Sequence, residues 1–439
     1  MKIRYLEEID EHEYRLLMNR ATGEILDPKN IESIRQIVED VREHGDKALL
    51  EYTRKFHQLD IKASSLKVSE EEFEEARKQV KGEVVDAINM FITHTTRYNQ
   101  MLMPRSIWLE ELDDGVLVGE RCVPIEKVGL YIPSGKGSYP STVVTMATPA
   151  VVAGVKEIYL FVAPKRNGSL EVDPAVLVAA EMLGVKGVYR GAGVAGIAAF
   201  AFGTETIPRV YKVVGPGNPY ITAAQLYIQL YGVPITLLLG PTECMVLADD
   251  SADPERVALD LLTEAEHGKD SASLLVTPSE ELAREVGKHL DSFLTKLPDW
   301  RREFASAVFS GYGGAVITKT LDEAIAFVND YAPEHLQVAT RAPLELLTKI
   351  EHAGEILLGQ HTPFSGGNYA IGVPAGLPTG QTAKVNSGIT VHTFLKRSSV
   401  AYLQERGLRK VKKTIEALGD HEEFYAHALS VRARRFEES

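Results

Sequence analysis

The sequence predicts an α/β fold with two parallel sheets. From about Lys127, short apolar runs that are typical of buried strands alternate with segments of helical spacing. Strands that alternate with helices form parallel sheets with right-handed crossover connections. A second series of the same kind begins after Val233, and 439 residues are more than one hydrophobic core usually supports. We therefore predict two α/β domains in tandem.

The elements follow in chain order. Residues 30–52, 69–80 and 83–101 show helical spacing with many charges, so the first 100 residues are predicted to be mainly helical. The first strand series is VGLYIP, EIYLFVAP, VKGVYRG and VYKVVGPG, and the second is ITLLLG, CMVLAD, SLLVTP, GAVITK, LQVAT and GEILLG. Asp253 and Pro254 predict the start of a helix that leads to His267. The last 45 residues lose the strand pattern and are predicted to be basic helix.

Composition excludes several classes of protein. A net charge of -13 argues against general binding of nucleic acid or anionic membranes. No apolar run is long enough to span a membrane, and the N-terminus is too acidic for a signal peptide, so we expect a cytoplasmic protein. Cys122 and Cys244 form at most one disulfide and are expected to be buried small apolar residues.

Three loops that follow predicted strands are candidates for binding a nucleotide. Gly191, Gly193 and Gly196 form G-x-G-x-x-G between a strand and an Ala-rich helix. The acidic residue that usually follows about 20 positions later in a dinucleotide site is missing, and a tight turn packed on the sheet explains the glycines equally well. Loops 133–141 and 215–218 also follow strands, where backbone amides favour phosphate. Together the three loops predict one crevice with a nucleotide in it.

Two acid and histidine pairs could perform chemistry. Glu264 and His267 are three residues apart near a helix end, so both could reach one metal ion, although a solvated helix end has the same pattern. Glu334 and His335 are adjacent in a connection between a helix and a strand, and suit general acid and base catalysis. We expect the connection to present this second pair, with neither residue buried in a helix or strand. An exposed polar loop is the alternative.

At this point a family resemblance is clear over essentially the whole chain. The sequence resembles histidinol dehydrogenases through ordered strings: VGLYIPSG, PSTV, FGTE, GPGNPY, LLGPTE, LADDSADP, DLLTEAEHGKDS, APEHL, AGEILLG, GLPTG, SGITV, FLKR and a terminal His before SVRAR. The resemblance implies a cytoplasmic, zinc-containing, NAD-dependent homodimer with swapped terminal segments. Such enzymes oxidise a primary amino alcohol through its aldehyde to the acid, using two NAD.

The resemblance also implies a domain plan. It consists of two incomplete Rossmann-like parallel-sheet domains with small helical N- and C-terminal segments. The predicted boundaries are a helical segment at 1–27, a first α/β domain at 28–130 plus 233–385 with metal and catalytic residues, a nucleotide-binding α/β domain at 131–232, and a helical dimerisation segment at 386–439.

Site roles are carried over position by position. Glu334 resembles the carboxylate that activates water, and His335 the base that takes the hydroxyl proton. The predicted metal ligands are Glu264, His267, Asn368 and His427. The predicted NAD contacts are Tyr131 and Asn218, together with Gly191 and Gly193 of the Gly-rich turn. The predicted substrate contacts are Thr242, Glu334, His335 and Glu422, with the four metal ligands beside them.

Four positions depart from the family pattern. Glu264 stands where the family has Gln and Asn368 where it has Asp, so the formal charge of the metal site is unchanged and zinc is still expected. Ala375 replaces a histidine that helps to hold the substrate, and Ala195 replaces a Gln near the NAD pocket. We therefore predict oxidation of a small primary alcohol, with substrate contacts altered toward another alcohol as in the related sulfopropanediol dehydrogenases. Authentic L-histidinol oxidation and a non-catalytic nucleotide- or metal-binding paralogue are the alternatives.

Overall fold

Both predicted parallel sheets are present in the computed structural model, which describes residues 1–20, 28–165, 169–235 and 240–434. The strands are β1 (Ile3–Tyr5), β2 (Ile107–Asp113), β3 (Val116–Pro124), β4 (Lys127–Ile132), β5 (Glu157–Val162), β6 (Gly187–Arg190), β7 (Lys212–Val214), β8 (Glu243–Ala248), β9 (Ala272–Thr277), β10 (Gly314–Ile317), β11 (His335–Ala339), β12 (Glu355–Leu358) and β13 (Leu395–Leu403).

Helices occupy most of the remaining described chain. They are α1 (Glu11–Asn19), α2 (Pro28–His44), α3 (Asp46–His57), α4 (Glu70–Gln79), α5 (Gly82–Met101), α6 (Pro140–Ala153), α7 (Pro174–Met182), α8 (Gly193–Phe202), α9 (Pro219–Ile228), α10 (Pro254–Ala265), α11 (Glu280–Leu294), α12 (Asp299–Ser310), α13 (Leu321–Tyr331), α14 (Pro343–Leu346), α15 (Phe364–Gly366), α16 (Glu405–His421) and α17 (Tyr425–Arg432).

The larger sheet has six parallel strands in the order β1-β10-β9-β8-β11-β12. Its strands are buried on both faces, as their continuous apolar sequences predict. Along β8, Cys244 and Val246 pack with α10, α11 and α12, while the alternate residues Met245 and Leu247 pack with α1 and α13. The sheet is therefore covered by helices on both sides.

The smaller parallel sheet has four strands in the order β6-β5-β4-β7. Helices α2, α3, α8 and α9 share one hydrophobic core on it. In that core the rings of Phe161 and Phe200 meet edge to face, with their centroids 5.9 Å apart. The two parallel sheets belong to one compact unit of the chain, Met1–Leu102 with Ile125–Phe394.

A second compact unit consists of Met103–Pro124 and Leu395–Ser439. It contains an antiparallel sheet of order β13-β3-β2, with α16 packed on α17. The prediction of basic helix for the last 45 residues is therefore wrong at its start, because β13 is a strand. The strand lacks the usual signal: seven of its nine residues are exposed, and every residue of β2 is exposed. Their sequences consequently carry no buried apolar run.

Two smaller differences separate prediction from structure, and one predicted strand cannot be compared. Residues 3–5 form a strand at the edge of the larger sheet, although the N-terminal segment was predicted to be helical. The helix predicted over 30–52 is broken at Gly45, whose φ of +54° no long helix accepts. Most of the predicted strand ITLLLG lies outside the described residues. The four predicted domain boundaries stay a prediction.

Other expectations are confirmed. Helix α10 begins at Pro254, and the side chain of Asp253 accepts the N–H of Glu255 at 2.9 Å. Cys122 and Cys244 are both buried and free. Within the described ranges, no helix is long and apolar enough to cross a membrane.

Candidate active site

A cavity of about 770 Å³ lies between loops of the two parallel sheets. The four-stranded sheet contributes loops that follow β4, β6 and β7, at the carboxyl ends of its strands, where open α/β sheets usually bind ligands. The six-stranded sheet contributes residues that precede β8 and β9 and residues at the start of β11, at the opposite end of its strands. The prediction that the three Gly-rich loops share one crevice is confirmed.

The glycines of the Gly-rich turn have different roles: one lines the cavity and another allows close packing of α8. Gly191 turns the chain after β6 with φ +153°, but it is not among the cavity-lining residues. Gly193 begins α8 and lines the cavity, and an added Cβ there would lie 2.8 Å from the hydroxyl of buried Tyr131. A Cβ on Gly196 would overlap the Phe161 ring, so this glycine serves close helix packing. Ala195 is fully buried in α8.

The predicted NAD contacts Tyr131 and Asn218 both line the cavity. Burial raises the pKa of Tyr131, so its hydroxyl stays neutral and can donate a hydrogen bond. The Asn218 side chain caps α9 by accepting the N–H of Ile221 at 3.1 Å. Asn218 therefore fixes the helix N-terminus that faces the cavity, which is a favourable place for phosphate.

Glu334 and His335 lie together on the cavity wall, but the prediction that neither is buried in a helix or strand is wrong for His335. Glu334 is 7% exposed and His335, the first residue of β11, is 3% exposed. The strand begins one residue earlier than the sequence pattern indicates, so the pair is held by the sheet. The Glu334 Oε1 atom lies 3.7 Å from His335 Nε2. Both side chains are thus rigidly placed beside the cavity.

The charges around this pair shift its titration. Burial raises the pKa of Glu334 well above its usual range, and the positive charge of His335 opposes that rise. Burial alone would lower the pKa of His335, but the negative charges of Glu334, Glu264 and Glu355 outweigh it and raise that pKa to about 10. The charge of each residue of the pair therefore affects the pKa of the other.

Two buried residues behind Glu334 were not found from the sequence. The backbone N–H of Glu243 donates to Glu334 Oε2 at 2.9 Å, and the N–H of Gly380 donates to Glu243 Oε1 at 2.8 Å. The same Glu243 oxygen lies 3.4 Å from Nε of Arg20, whose guanidinium is 3.5 Å from the ring centroid of Tyr331. No local motif signals this pair, because its members are more than 200 positions apart in the chain.

Three of the four predicted metal ligands, Glu264, His267 and Asn368, also meet. Nδ2 of Asn368 donates to Glu264 Oε1 at 2.7 Å, and Nδ1 of His267 lies 3.3 Å from Glu264 Oε2. His267 lies just beyond the end of α10, yet it still faces Glu264 because its N–H bonds the Glu264 carbonyl at 3.2 Å. Glu264 is 1% exposed and lines the cavity.

The donor set suits zinc only in part. A carboxylate and an imidazole are ordinary zinc ligands, and Nδ1 of His267 is 3.2 Å from the Thr263 carbonyl, which would leave Nε2 for a metal. Asn368, however, presents its N–H₂ to Glu264. Among the described residues no three His, Cys, Asp or Glu side chains are grouped to hold a metal. A complete site would need a further ligand and a turned Asn368 amide.

Comparison with known proteins shows which family has this sequence and fold. The histidinol dehydrogenase family model matches residues 22–435. The chain belongs to the histidinol dehydrogenase family. It is 46% identical to a histidinol dehydrogenase from Synechocystis sp., over 91% of this chain and 92% of that relative. It is 39% identical to a histidinol dehydrogenase homolog from Colwellia psychrerythraea, over 98% and 96% of the two chains.

A solved structure agrees with the family assignment. The crystal structure of histidinol dehydrogenase from Elizabethkingia anophelis superimposes with a TM-score of 0.90 at 34% identity, covering 98% of this chain and 96% of that one. The chain is therefore a histidinol dehydrogenase-like oxidoreductase that acts on a CH–OH group. Its α/β fold, as predicted, is the fold of this family.

The remaining site positions divide between the two compact units. Thr242 lines the cavity immediately before β8, and Ala375, one of the four predicted departures, lines it as well. Glu422 follows α16 and His427 lies in α17, both in the second unit. Their assignment to substrate and metal stays a prediction.

Proposed function

We propose that this protein oxidises L-histidinol through its aldehyde to L-histidine, with two molecules of NAD as oxidant. The observation that carries the proposal is the buried Glu334 and His335 pair on the wall of a cavity that Gly-rich, strand-to-helix loops also line. The 46% identity with the Synechocystis enzyme supports histidinol more than the redirected small alcohol that we predicted first. The expectation of a cytoplasmic enzyme of histidine biosynthesis follows from the same proposal.

In the proposed mechanism His335 is the base. Its Nε2 faces Glu334 and the cavity, where it removes the hydroxyl proton as the CH₂OH carbon gives a hydride to NAD. The product of this step is the aldehyde. Glu334 then takes a proton from water as the water oxygen bonds to the aldehyde carbon, and His335 returns its proton to the aldehyde oxygen. The resulting hydrate gives a second hydride to a second NAD and a hydroxyl proton to His335, which leaves the carboxylic acid; this ionises to the carboxylate.

The charge of the cavity wall supports a cationic substrate. Glu264 and Glu334 both line the cavity, and burial raises the pKa of Glu334 because its charged form loses contact with water there. An ammonium group beside these residues would compensate for that loss. L-histidinol carries such a group on the carbon next to its CH₂OH, so the same acidic wall can bind the amine and place the alcohol at His335.

We also propose the two groups that the family resemblance implies. Glu264 and His267 would hold zinc, with Asn368 after its amide has turned and His427 as the fourth ligand. Zinc would act as a template that orients the polar groups of the substrate. Tyr131, Gly193 and Asn218 would contact NAD, with phosphate at the N-terminus of α8 or α9.

A different alcohol is the second candidate. The supporting observation is Ala375, which lines the cavity without the imidazole that the family uses to hold histidinol. Relatives described as histidinol dehydrogenase homologs are 38 to 40% identical to this chain. A site that loses a polar partner usually relaxes its specificity. The non-catalytic alternative has less support, because both Glu334 and His335 face the cavity.

The decisive experiment measures NADH formation by zinc-loaded protein. L-histidinol is compared with a panel of amino, hydroxy and sulfonated alcohols, and His335→Asn is the control. We expect two NADH and one L-histidine per histidinol, and no turnover by the variant. Turnover of another alcohol but not histidinol would favour the second candidate. Inactivity with every alcohol, or full activity of His335→Asn, would refute the proposed mechanism.

A further inference from the structure

Glu355 is placed beside His335 by the pairing of two strands. The first residue of β12 is the register partner of the first residue of β11, so Glu355 and His335 stand side by side. Paired residues of neighbouring parallel strands point to the same face of a sheet. The Glu355 N–H also bonds the Glu334 carbonyl at 3.0 Å, which fixes this register next to the site.

The Glu355 carboxylate is directed at the imidazole and away from the cavity. Its Oε1 lies 2.5 Å from Nδ1 of His335, and Glu355 is 8% exposed without being one of the cavity-lining residues. Within the part of the chain that the structure describes, Oε2 is buried without a hydrogen-bond partner. A Cβ on Gly367 would lie 3.0 Å from that oxygen, so a glycine there gives the carboxylate its space.

The other wall of the imidazole is aromatic. Phe364 is fully buried and meets the His335 ring edge to face, with centroids 5.9 Å apart. The ring thus has a carboxylate at Nδ1, an aromatic edge against it and the cavity near Nε2. A buried carboxylate with one unpartnered oxygen costs stability unless a neighbouring N–H compensates for it. Its single strong hydrogen bond therefore indicates a role toward His335.

We propose that Glu355 is a positioning residue that holds the Nδ1–H of His335 and so fixes the tautomer and orientation in which Nε2 accepts the substrate's proton. This inference rests on the proposed function of His335 as the base. A base must present an unprotonated nitrogen to the hydroxyl, and a carboxylate on the other ring nitrogen selects that tautomer. The sequence contains no local signal for it, because Glu355 and His335 are 20 residues apart.

The first test is kinetic and uses Glu355→Gln and Glu355→Ala in the full-length, zinc-loaded protein. Loss of a partner that orients a functional histidine typically costs about 10- to 100-fold, so we expect this fall in kcat. The KM for the alcohol should change by less than about threefold, because Glu355 does not touch the cavity. The solvent deuterium isotope effect on kcat should rise as proton transfer becomes limiting. Glu345→Gln, exposed in the connection between β11 and β12, should behave as wild type.

The second test does not depend on turnover. In a proton NMR spectrum of protein that carries ¹⁵N-labelled histidine, we expect a low-field Nδ1–H signal from His335. Because the chain has 12 histidines, the signal is assigned by its loss in His335→Asn. We expect Glu355→Ala to abolish this signal. The melting temperatures of Glu355→Ala and of the near-isosteric Glu355→Gln are measured to show that both variants fold. Absence of the signal in wild type would overturn the proposal, as would its loss without a fall in kcat. If no alcohol is oxidised, the proposed function fails and the signal alone decides whether Glu355 holds His335.

Discussion

At the scale of single residues, the site concentrates acids around one imidazole. Glu334 lies on the Nε2 side of His335 and Glu355 on its Nδ1 side, at 3.7 and 2.5 Å. Negative charges at these distances stabilise the protonated imidazole more than burial destabilises it, and they raise the pKa of His335 to about 10. The base of the proposed mechanism is therefore mostly protonated near neutral pH before substrate and cofactor bind.

This charge balance predicts an alkaline pH dependence. A raised pKa means that the neutral imidazole is lost as pH falls below that pKa, so kcat/KM should rise about tenfold per pH unit from neutrality toward the pKa of the free enzyme. Glu334→Gln removes one negative charge and should move this limb to lower pH while reducing kcat. The measurement is kcat/KM for the alcohol at saturating NAD across neutral and alkaline pH. A profile that is flat above pH 7 would contradict the prediction.

The exchanged carboxylate and amide at Glu264 and Asn368 give a second prediction. Glu264→Gln leaves no anionic oxygen in this cluster, so zinc affinity should fall about 10- to 100-fold. Asn368→Asp instead places two carboxylates together, which should lower the melting temperature in chelator and raise it with zinc. The double variant restores one carboxylate and one amide and should regain most of the zinc affinity.

Competition with a chelating dye and melting with and without zinc measure these effects. Glu266→Gln is the matched control, because Glu266 stands in the same turn but does not line the cavity. Unchanged zinc affinity in Glu264→Gln would show that this carboxylate is not a ligand.

Contacts between residues that are close in sequence could be predicted, whereas contacts between residues that are distant in sequence could not. Glu334 with His335 and Glu264 with His267 are close along the chain, so spacing made each pair a candidate site, and the family resemblance favoured that interpretation over an ordinary polar surface. Arg20 reaches Glu243 only because both belong to the assembled larger sheet and its helices. Glu355 likewise reaches His335 through the register of two strands, which no local pattern specifies.

At the scale of elements, the strands of the two parallel sheets were predictable because both of their faces are buried. Such strands have continuous apolar sequences, and the ones at β4, β5, β8 and β9 are clear examples. The strands β2 and β13 are mostly exposed and mix apolar, polar and charged residues without a buried apolar run. These two strands form because each pairs with β3 along its length, and their own residue composition does not indicate a strand.

Arg301 of α12 joins the loop after β4 to the turn after α10. This connection predicts that replacing Arg301 weakens NAD binding. Arg301 of α12 donates to the Glu266 carbonyl at 2.7 Å and to the Lys136 carbonyl at 3.0 Å, and Lys136 pairs with Asp270 at 2.9 Å. These bonds tie the cavity-lining loop after β4 to the turn after α10. Two such bonds contribute about 1–3 kcal/mol in all, so Arg301→Ala should raise the KM for NAD about tenfold.

Steady-state kinetics at saturating alcohol would measure this change, with kcat expected to fall less than KM rises. The adjacent Arg302→Ala is the control, because Arg302 pairs only with exposed Asp299 among the contacts that the structure describes. Equal KM values for the two variants would show that the loop holds its position without Arg301.

At the scale of the whole molecule, the second compact unit exposes large apolar side chains on its two helices. Four large side chains of its helices and their junction are more than half exposed: Leu418, Phe424, Tyr425 and Leu429. Exposed apolar clusters of this kind favour protein interfaces. Together with the family resemblance, this surface supports our proposal of a homodimer whose terminal segments are exchanged between subunits.

The exchange makes a quantitative prediction about mixed dimers. If His427 completes the site of the partner subunit, then His335→Ala and His427→Ala homodimers are both inactive. Co-expression with two different tags gives heterodimers as about half of the dimers, and one of their two sites combines intact His335 with the partner's intact His427. Total activity should then recover to about a quarter of wild type, and the purified heterodimer to about half. A mixture of separately folded homodimers that cannot exchange subunits is the control and should stay inactive. Heterodimers without activity would show that His427 completes the site of its own chain, and an active His427→Ala homodimer would show that His427 serves no site. In either case the terminal segments would not complete the chemistry of the partner subunit.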